Sequence, residues 1–139
     1  MKRLLVAGGG TAGHVYPLLT VLEALREESD AAVLYLGRGG SIEERLARKH
    51  GIAFTAMPAG GVYGMSPWRV VLNSAKLAAG LGVAMREVAR LAPDVVFVTG
   101  GYVSVPVALA GWLARRPVVG CLPDMEPGLA VRLLSRLAV

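Results

Sequence analysis

Five short apolar runs recur along the chain, and a stretch of helical pattern separates each from the next. The runs are RLLVA (3–7), AAVLYLG (31–37), IAFTAM (52–57), DVVFVTG (94–100) and RPVVGCL (116–122). They are rich in Val and Leu without polar alternation, as in strands covered on both faces. The intervening stretches predict helices over 17–28, opened by Pro17, and over the SIEERLARKHG segment, where Ser41 and Glu44 form a capping box and Gly51 follows the end. A long helix over 67–91, loosened at Gly80 and Gly82, comes next. Ser104 is expected to cap a helix running through Ala114, and 127–137 form a last one. Strand–helix alternation repeated five times predicts an α/β fold, with a Rossmann-like parallel sheet and helices on both faces.

The chain of 139 residues has room for one such domain, and its 54% hydrophobic and 18% charged content argues against disorder. Two long uncharged stretches, Leu4 to Leu22 and Val95 to Ala114, imitate membrane spans. Glycines and a proline interrupt each, so a buried strand, a turn and a buried helix describe them better. Only four apolar residues precede the first glycines, too few for a signal-peptide core, and export is not expected. The single Cys121 excludes an internal disulfide, as suits a reducing compartment.

In sheets of this kind ligands sit beyond the carboxyl ends of the strands. Two turns there are glycine-rich. GGGTAGH follows the first strand and TGGYVSVP the fourth. Gly8, Gly10 and Gly13 satisfy the dinucleotide pattern G-x-G-x-x-G. That reading requires an acid closing the second strand, where the chain has LGRGG, so only an NADP-binding alternative remains, with Arg38 on the 2′-phosphate. A tight turn without ligand is also open, since glycine permits close packing. Two phosphate-cradling turns opening helices fit a pair of phosphates better. His14 at the mouth of that crevice is then a candidate base toward a sugar hydroxyl, or a helix-start histidine bonded to backbone. His50 before Gly51 reads as an ordinary last-turn residue.

Charge is uneven. Residues 1–37 carry three bases and four acids, residues 38–139 twelve and six. The basic excess suits an anionic partner, or simply a solvated face. The stretch 60–94 sets Tyr63, Met65 and Trp68 beside Arg69, Lys76, Arg86 and Arg90. Aromatics next to bases suit an interfacial helix on anionic lipid, while Leu and Val of the same stretch suit a core helix. The aromatics are not spaced as stacking platforms, so nucleic acid is not expected as a partner.

GGTAGHVYP (9–17), KHGIAF (49–54), PDVVFVTGGYVSVP (93–106) and RPVV (116–119) together resemble the N-terminal domain of glycosyltransferase family 28, in its MurG-type N-acetylglucosaminyltransferases. The likeness runs over nearly the whole chain. It implies one half of a GT-B enzyme, with 1–139 as a single acceptor-binding domain and the donor-binding C-terminal domain absent. The implied activity is inverting transfer of a sugar, GlcNAc by resemblance, from a UDP-sugar to a lipid-linked diphosphate in cell-wall or surface-glycan synthesis, with no cofactor and no bound metal. Implied partners are a polyprenyl-diphosphate-linked sugar acceptor, an anionic membrane surface and a donor domain or subunit. The implied location is cytoplasmic, peripheral on the inner face of the cell membrane.

By the same resemblance Gly10, Thr11, Gly13 and His14 lie at the acceptor site, with His14 as base, and Gly100, Gly101, Tyr102 and Ser104 hold the diphosphate. Tyr63, Met65, Trp68 and Arg69 would touch lipid. The chain departs from the family after the fifth strand, reading CLPD (121–124) and MEPG where the MurG type has HEQN, with Gly128 kept. This brings two carboxylates, Asp124 and Glu126, as candidates to act as base or orient His14; a turn between two prolines is the other reading of Asp124. A non-catalytic membrane-recruitment subunit of a split transferase is the alternative function.

Overall fold

The computed structural model describes residues 2–8, 12–28, 30–58, 67–99 and 103–120, with positions 12–15, 69, 70 and 73 described by backbone alone. The elements run β1 (Lys2–Ala7), α1 (Ala12–Glu28), β2 (Ala31–Gly37), α2 (Ile42–Lys49), β3 (Ala53–Ala56), α3 (Pro67–Leu91), β4 (Val95–Val98), α4 (Ser104–Leu113) and β5 (Val118–Gly120). All strand pairs are parallel, in the order β3-β2-β1-β4-β5. The expected sheet is present, and its order reverses between β1 and β4.

Alternation along β1 and β2 divides the core. Leu5, Ala7, Leu34 and Leu36 face α3 and α4, where they meet Ala84, Val88, Val107 and Ala110. Val6 and Tyr35 face α1 and α2, among Leu18, Leu19, Leu22, Ala47 and Ile52. Both faces of the central strands are therefore dry, which is why these runs show no polar alternation. The amino end of the sheet is tied off by Arg3 and Asp94. Each backbone N–H of this pair finds an acceptor on the other residue at 2.8 Å, and the Arg3 guanidinium caps the carbonyl of Leu91 at 3.2 Å.

Several expectations require correction. Helix α1 begins at Ala12, so Pro17 stands inside it rather than opening it. A proline there removes one N–H from the helical ladder, and burial of Leu18, Leu19 and Leu22 against the sheet outweighs that loss. Neither Gly80 nor Gly82 loosens α3, which is continuous. Gly80 is a contact point, since a Cβ there would lie 2.3 Å from the carbonyl oxygen of Pro58. Ser104 does not cap α4. It is the first helical residue, the cap position belongs to Val103, and no side chain bonds the cap.

The expected capping box on α2 is half made. Ser41 Oγ accepts from the Glu44 amide at 3.4 Å, but Glu44 Oε1 turns toward Arg48 at 3.9 Å. The helix end is as expected: Gly51 has φ +68, its N–H donates to Arg48, and the Ile52 N–H reaches back to Ala47. Strands β3 and β4 are shorter than the apolar runs suggested, and β5 starts two residues later than its run, at Val118. The 127–137 segment lies outside the described residues. The uncharged stretches 4–22 and 95–114 each resolve into a strand and a helix, and among the described residues no helix is long and apolar enough to cross a membrane.

Candidate functional site

The site is built where strand order reverses. Neighbouring strands β1 and β4 end at Ala7 and Val98 in register, and the chain re-enters helices at Ala12 and Ser104. Two bonds fasten these ends to each other, and a third ties the end of β1 to β2. The Ala7 carbonyl accepts from the Thr99 amide at 3.1 Å and from the Ser104 hydroxyl at 3.3 Å. The Gly8 carbonyl accepts from the Tyr35 phenol. Ser104 and Thr99 are both fully buried, so these bonds form in a dry environment where an unmade one would be costly.

The consequence is geometric. The amino ends of α1 and α4 flank one edge of the sheet, with their dipoles positive toward it. The cap residue of α4, Val103, makes no side-chain hydrogen bond to the helix start. Gly13 and His14 are the second and third residues of α1, so His14 belongs to the first helical turn and not to the loop before it. Ser104 has its hydroxyl turned to Ala7, so its side chain joins the turns to each other.

Gly10, Thr11, Gly100, Gly101, Tyr102, Asp124, Glu126, Tyr63 and Met65 lie outside the described residues. Trp68, the second residue of α3, is 76% exposed; Arg69 follows it in the same helix. Val71 and Leu72 are exposed beside Trp68, with Lys76 also exposed one turn on.

Two features escaped the sequence reading. One is an apolar groove of about 200 Å³ between α3 and α4, lined by Met85, Val88, Ala89, Ala110, Leu113 and Ala114. Trp112 and Leu113 beside it are half exposed, although their uncharged run reads as a buried helix. The other is Glu43. The chain lacks an acid closing β2, yet Glu43 reaches there from α2, and its Oε1 accepts from the Arg38 amide at 3.3 Å. At 1% exposure it is not available to a ribose. The signal was in the spacing, since a helix starting at Ile42 points its first turn back over the strand it follows. Among the described residues no cluster of metal-ligating side chains occurs.

A parallel 3-2-1-4-5 sheet with two helix starts at its reversal point defines a Rossmann-like α/β domain. Residues 4–139 match the family model described as glycosyltransferase family 28 N-terminal domain, and the chain belongs to that family. It is 43% identical, over 98% of its length, to a UDP-N-acetylglucosamine--N-acetylmuramyl-(pentapeptide) pyrophosphoryl-undecaprenol N-acetylglucosamine transferase from Roseiflexus sp. (strain RS-1), of which it covers 36%. An Acidovorax sp. (strain JS42) protein of the same name is 43% identical over 99% of the chain, which covers 34% of it. The crystal structure of Acinetobacter baumannii MurG superposes with a TM-score of 0.84 at 30% identity, over 99% of this chain and 40% of that one. The chain thus spans about a third of the length of the curated relatives it matches.

Proposed function

We propose that this chain is the acceptor-binding half of an inverting N-acetylglucosaminyltransferase that acts on a polyprenyl-diphosphate-linked sugar. The observation that carries this reading is the shared anchor at Ala7. It ties the starts of two glycine turns to one sheet edge, opposite two helix amino ends, in a chain of family 28. Two phosphates have two sets of helix-start amides to meet there. The relatives' names specify UDP-N-acetylglucosamine as donor and a pyrophosphoryl-undecaprenol as acceptor, and we carry both over.

In the reaction the acceptor hydroxyl attacks the anomeric carbon of the donor sugar. The new C–O bond forms as the bond to the UDP phosphate oxygen breaks, and the electron pair leaves with UDP. His14 takes the hydroxyl proton, with Asp124 or Glu126 orienting the imidazole. Gly10, Thr11, Gly13, Gly100, Gly101 and Tyr102 line the diphosphate. A donor-binding domain or subunit supplies the UDP-sugar site. The exposed Trp68, Val71 and Leu72, with Tyr63, Met65 and Arg69 nearby in sequence, favour docking on an anionic membrane at the cytoplasmic face, where a lipid-linked acceptor resides.

The test is a transfer assay with a donor half supplied in trans and radiolabelled UDP-N-acetylglucosamine. Wild-type chain should support transfer and His14→Ala should abolish it; unchanged turnover would remove His14 from the chemistry. Retained activity in His14→Ala, with membrane recruitment lost in Trp68→Ala, would instead favour a non-catalytic recruiting subunit.

A further inference from the structure

The described arginine side chains fall into two groups. Arg3 and Arg26 cap backbone carbonyls, Arg48 meets Glu44, and Arg86 and Arg90 meet Glu87. Among the described residues the guanidinium groups of Arg38, Arg45, Arg115 and Arg116 have no hydrogen-bond or ion-pair partner. Arg45 stands a turn along α2, while Arg115 and Arg116 precede β5 at the amino end of the sheet. Arg38 is the member of this group on the carboxyl rim, the side on which sheets of this kind take their ligands. It stands two residues beyond Leu36, the register partner of Ala7 at the end of β1. It therefore flanks the β1 end at one strand spacing, about 5 Å.

The backbone beneath Arg38 is held on every side. The Gly37 carbonyl accepts from the Met57 amide at 2.8 Å, the Arg38 amide donates to Glu43 Oε1 at 3.3 Å, and the Arg38 carbonyl accepts from the Ser41 hydroxyl. Gly39 lies against β3, where an added Cβ would stand 3.2 Å from that of Ala56, and Gly40 turns the chain toward α2 at φ +70. Glu43 serves this turn while its Oε2 is buried with no hydrogen-bond partner, a condition that costs stability. Residues that break a local rule in this way are most often tied to function. What the fixed turn presents is one exposed guanidinium with no internal partner. That group is always charged, and its planar fork of donors matches a carboxylate or a phosphate. We propose that Arg38 is a binding residue for an oxyanion of the acceptor, a phosphate or a carboxylate group, received on the β2 side of the β1 end. The fixed backbone lowers the ordering cost of that contact.

This inference rests on the acceptor reading for its ligand, and the anion site can be tested apart from it. Calorimetry on the whole chain gives a Kd for three probes: a short-chain polyprenyl-diphosphate sugar, the same molecule with a carboxylate-bearing peptide on its sugar, and inorganic pyrophosphate. The variants are Arg38→Ala, Arg38→Lys and, as a charge control, Lys49→Ala, an exposed position at the other end of α2. Arg38→Ala should weaken binding about tenfold. Arg38→Lys should recover only part of the loss, because an ammonium keeps the charge and not the fork. Lys49→Ala should stay near wild type. Equal losses for the two lipid-linked probes assign the phosphate, and a loss confined to the peptide-bearing probe assigns the carboxylate. Unchanged affinity of Arg38→Ala for both would overturn the proposal, as would an equal loss in Lys49→Ala. If wild-type chain binds neither lipid-linked probe, the acceptor reading fails. Pyrophosphate binding that Arg38→Ala weakens would then keep the anion site, and pyrophosphate binding that is absent or unchanged would remove it.

Discussion

The hydroxyl of Ser104 donates to the carbonyl of Ala7 across 3.3 Å, joining the start of α4 to the end of β1 over 97 positions of sequence. With the Thr99 amide on the same oxygen, it makes one carbonyl the meeting point of both glycine-rich turns. Ser104→Ala removes one of the two donors in a buried setting. It should cost about 1 kcal/mol, read as a lower urea midpoint at unchanged slope. It should also weaken binding of a diphosphate-linked acceptor, because the two turns lose their shared brace.

The two glycines of α3 should respond in opposite senses. Gly80→Ala drives a methyl group into the Pro58 carbonyl and should destabilise by about 1–3 kcal/mol. Gly82→Ala meets nothing within 4 Å and should stabilise by about 0.5–1 kcal/mol through helix propensity. Thermal or denaturant unfolding of the pair separates a contact glycine from a merely tolerated one.

Arg115 holds φ +58 just past α4, in a helix end where its N–H reaches Trp112 and the next N–H reaches Gly111. A side chain in the left-handed region costs about 1–2 kcal/mol, partly offset by the entropy that glycine would lose on folding. Arg115→Gly should therefore raise stability by about 0.5 kcal/mol, seen as a small upward shift in Tm.

Stability should fall at alkaline pH through Tyr35. Its phenol is raised far above the ordinary value by burial and then by the Glu43 charge. Below about pH 10 it is protonated in both folded and unfolded chains and contributes no pH dependence. Above that, the unfolded chain releases the proton while the native chain keeps it. The native state then binds more protons, and stability declines by about 1.4 kcal/mol per pH unit from this residue. Unfolding curves between pH 10 and 12 should be steeper in pH for wild type than for Tyr35→Phe.

What could be read from the residues alone follows from the range of the forces involved. Strands β1, β2 and β4 announce themselves because apolar runs buried in the sheet need no partner to be recognised, whereas the edge strand β3 is only partly buried. The α2 end was readable from Gly51, whose φ only glycine adopts cheaply. Helix α1 was misplaced at Pro17, because local proline preference competes with burial of Leu18 and Leu22, which depends on the sheet. Ser104 looked like a cap since its hydroxyl can satisfy a nearby amide, and only the fold reveals a carbonyl at residue 7 as the better partner. Glu43 escaped for the same reason: the strand end it closes is contacted from the following helix. The glycine-rich motifs and His14 were legible in the sequence; the bonds of Tyr35 to Gly8 and of Ser104 to Ala7 beside them were not.

Membrane docking through α3 should depend on its exposed amino-terminal half. Trp68→Ala should lower partition onto vesicles containing anionic lipid, measured by co-sedimentation, while Gly82→Ala, farther along the helix, should not. Trp112→Ala tests whether the second exposed patch, beside the α3–α4 groove, adds to that surface.

The acceptor account is tested most directly by calorimetric titration of the purified chain with three ligands in turn: a short-chain polyprenyl-diphosphate sugar, UDP-N-acetylglucosamine and NADPH. Saturable binding of the lipid-linked sugar, with no heat from the other two, is the predicted result. Binding of NADPH in place of the lipid-linked sugar would contradict the account and return the first glycine turn to a dinucleotide.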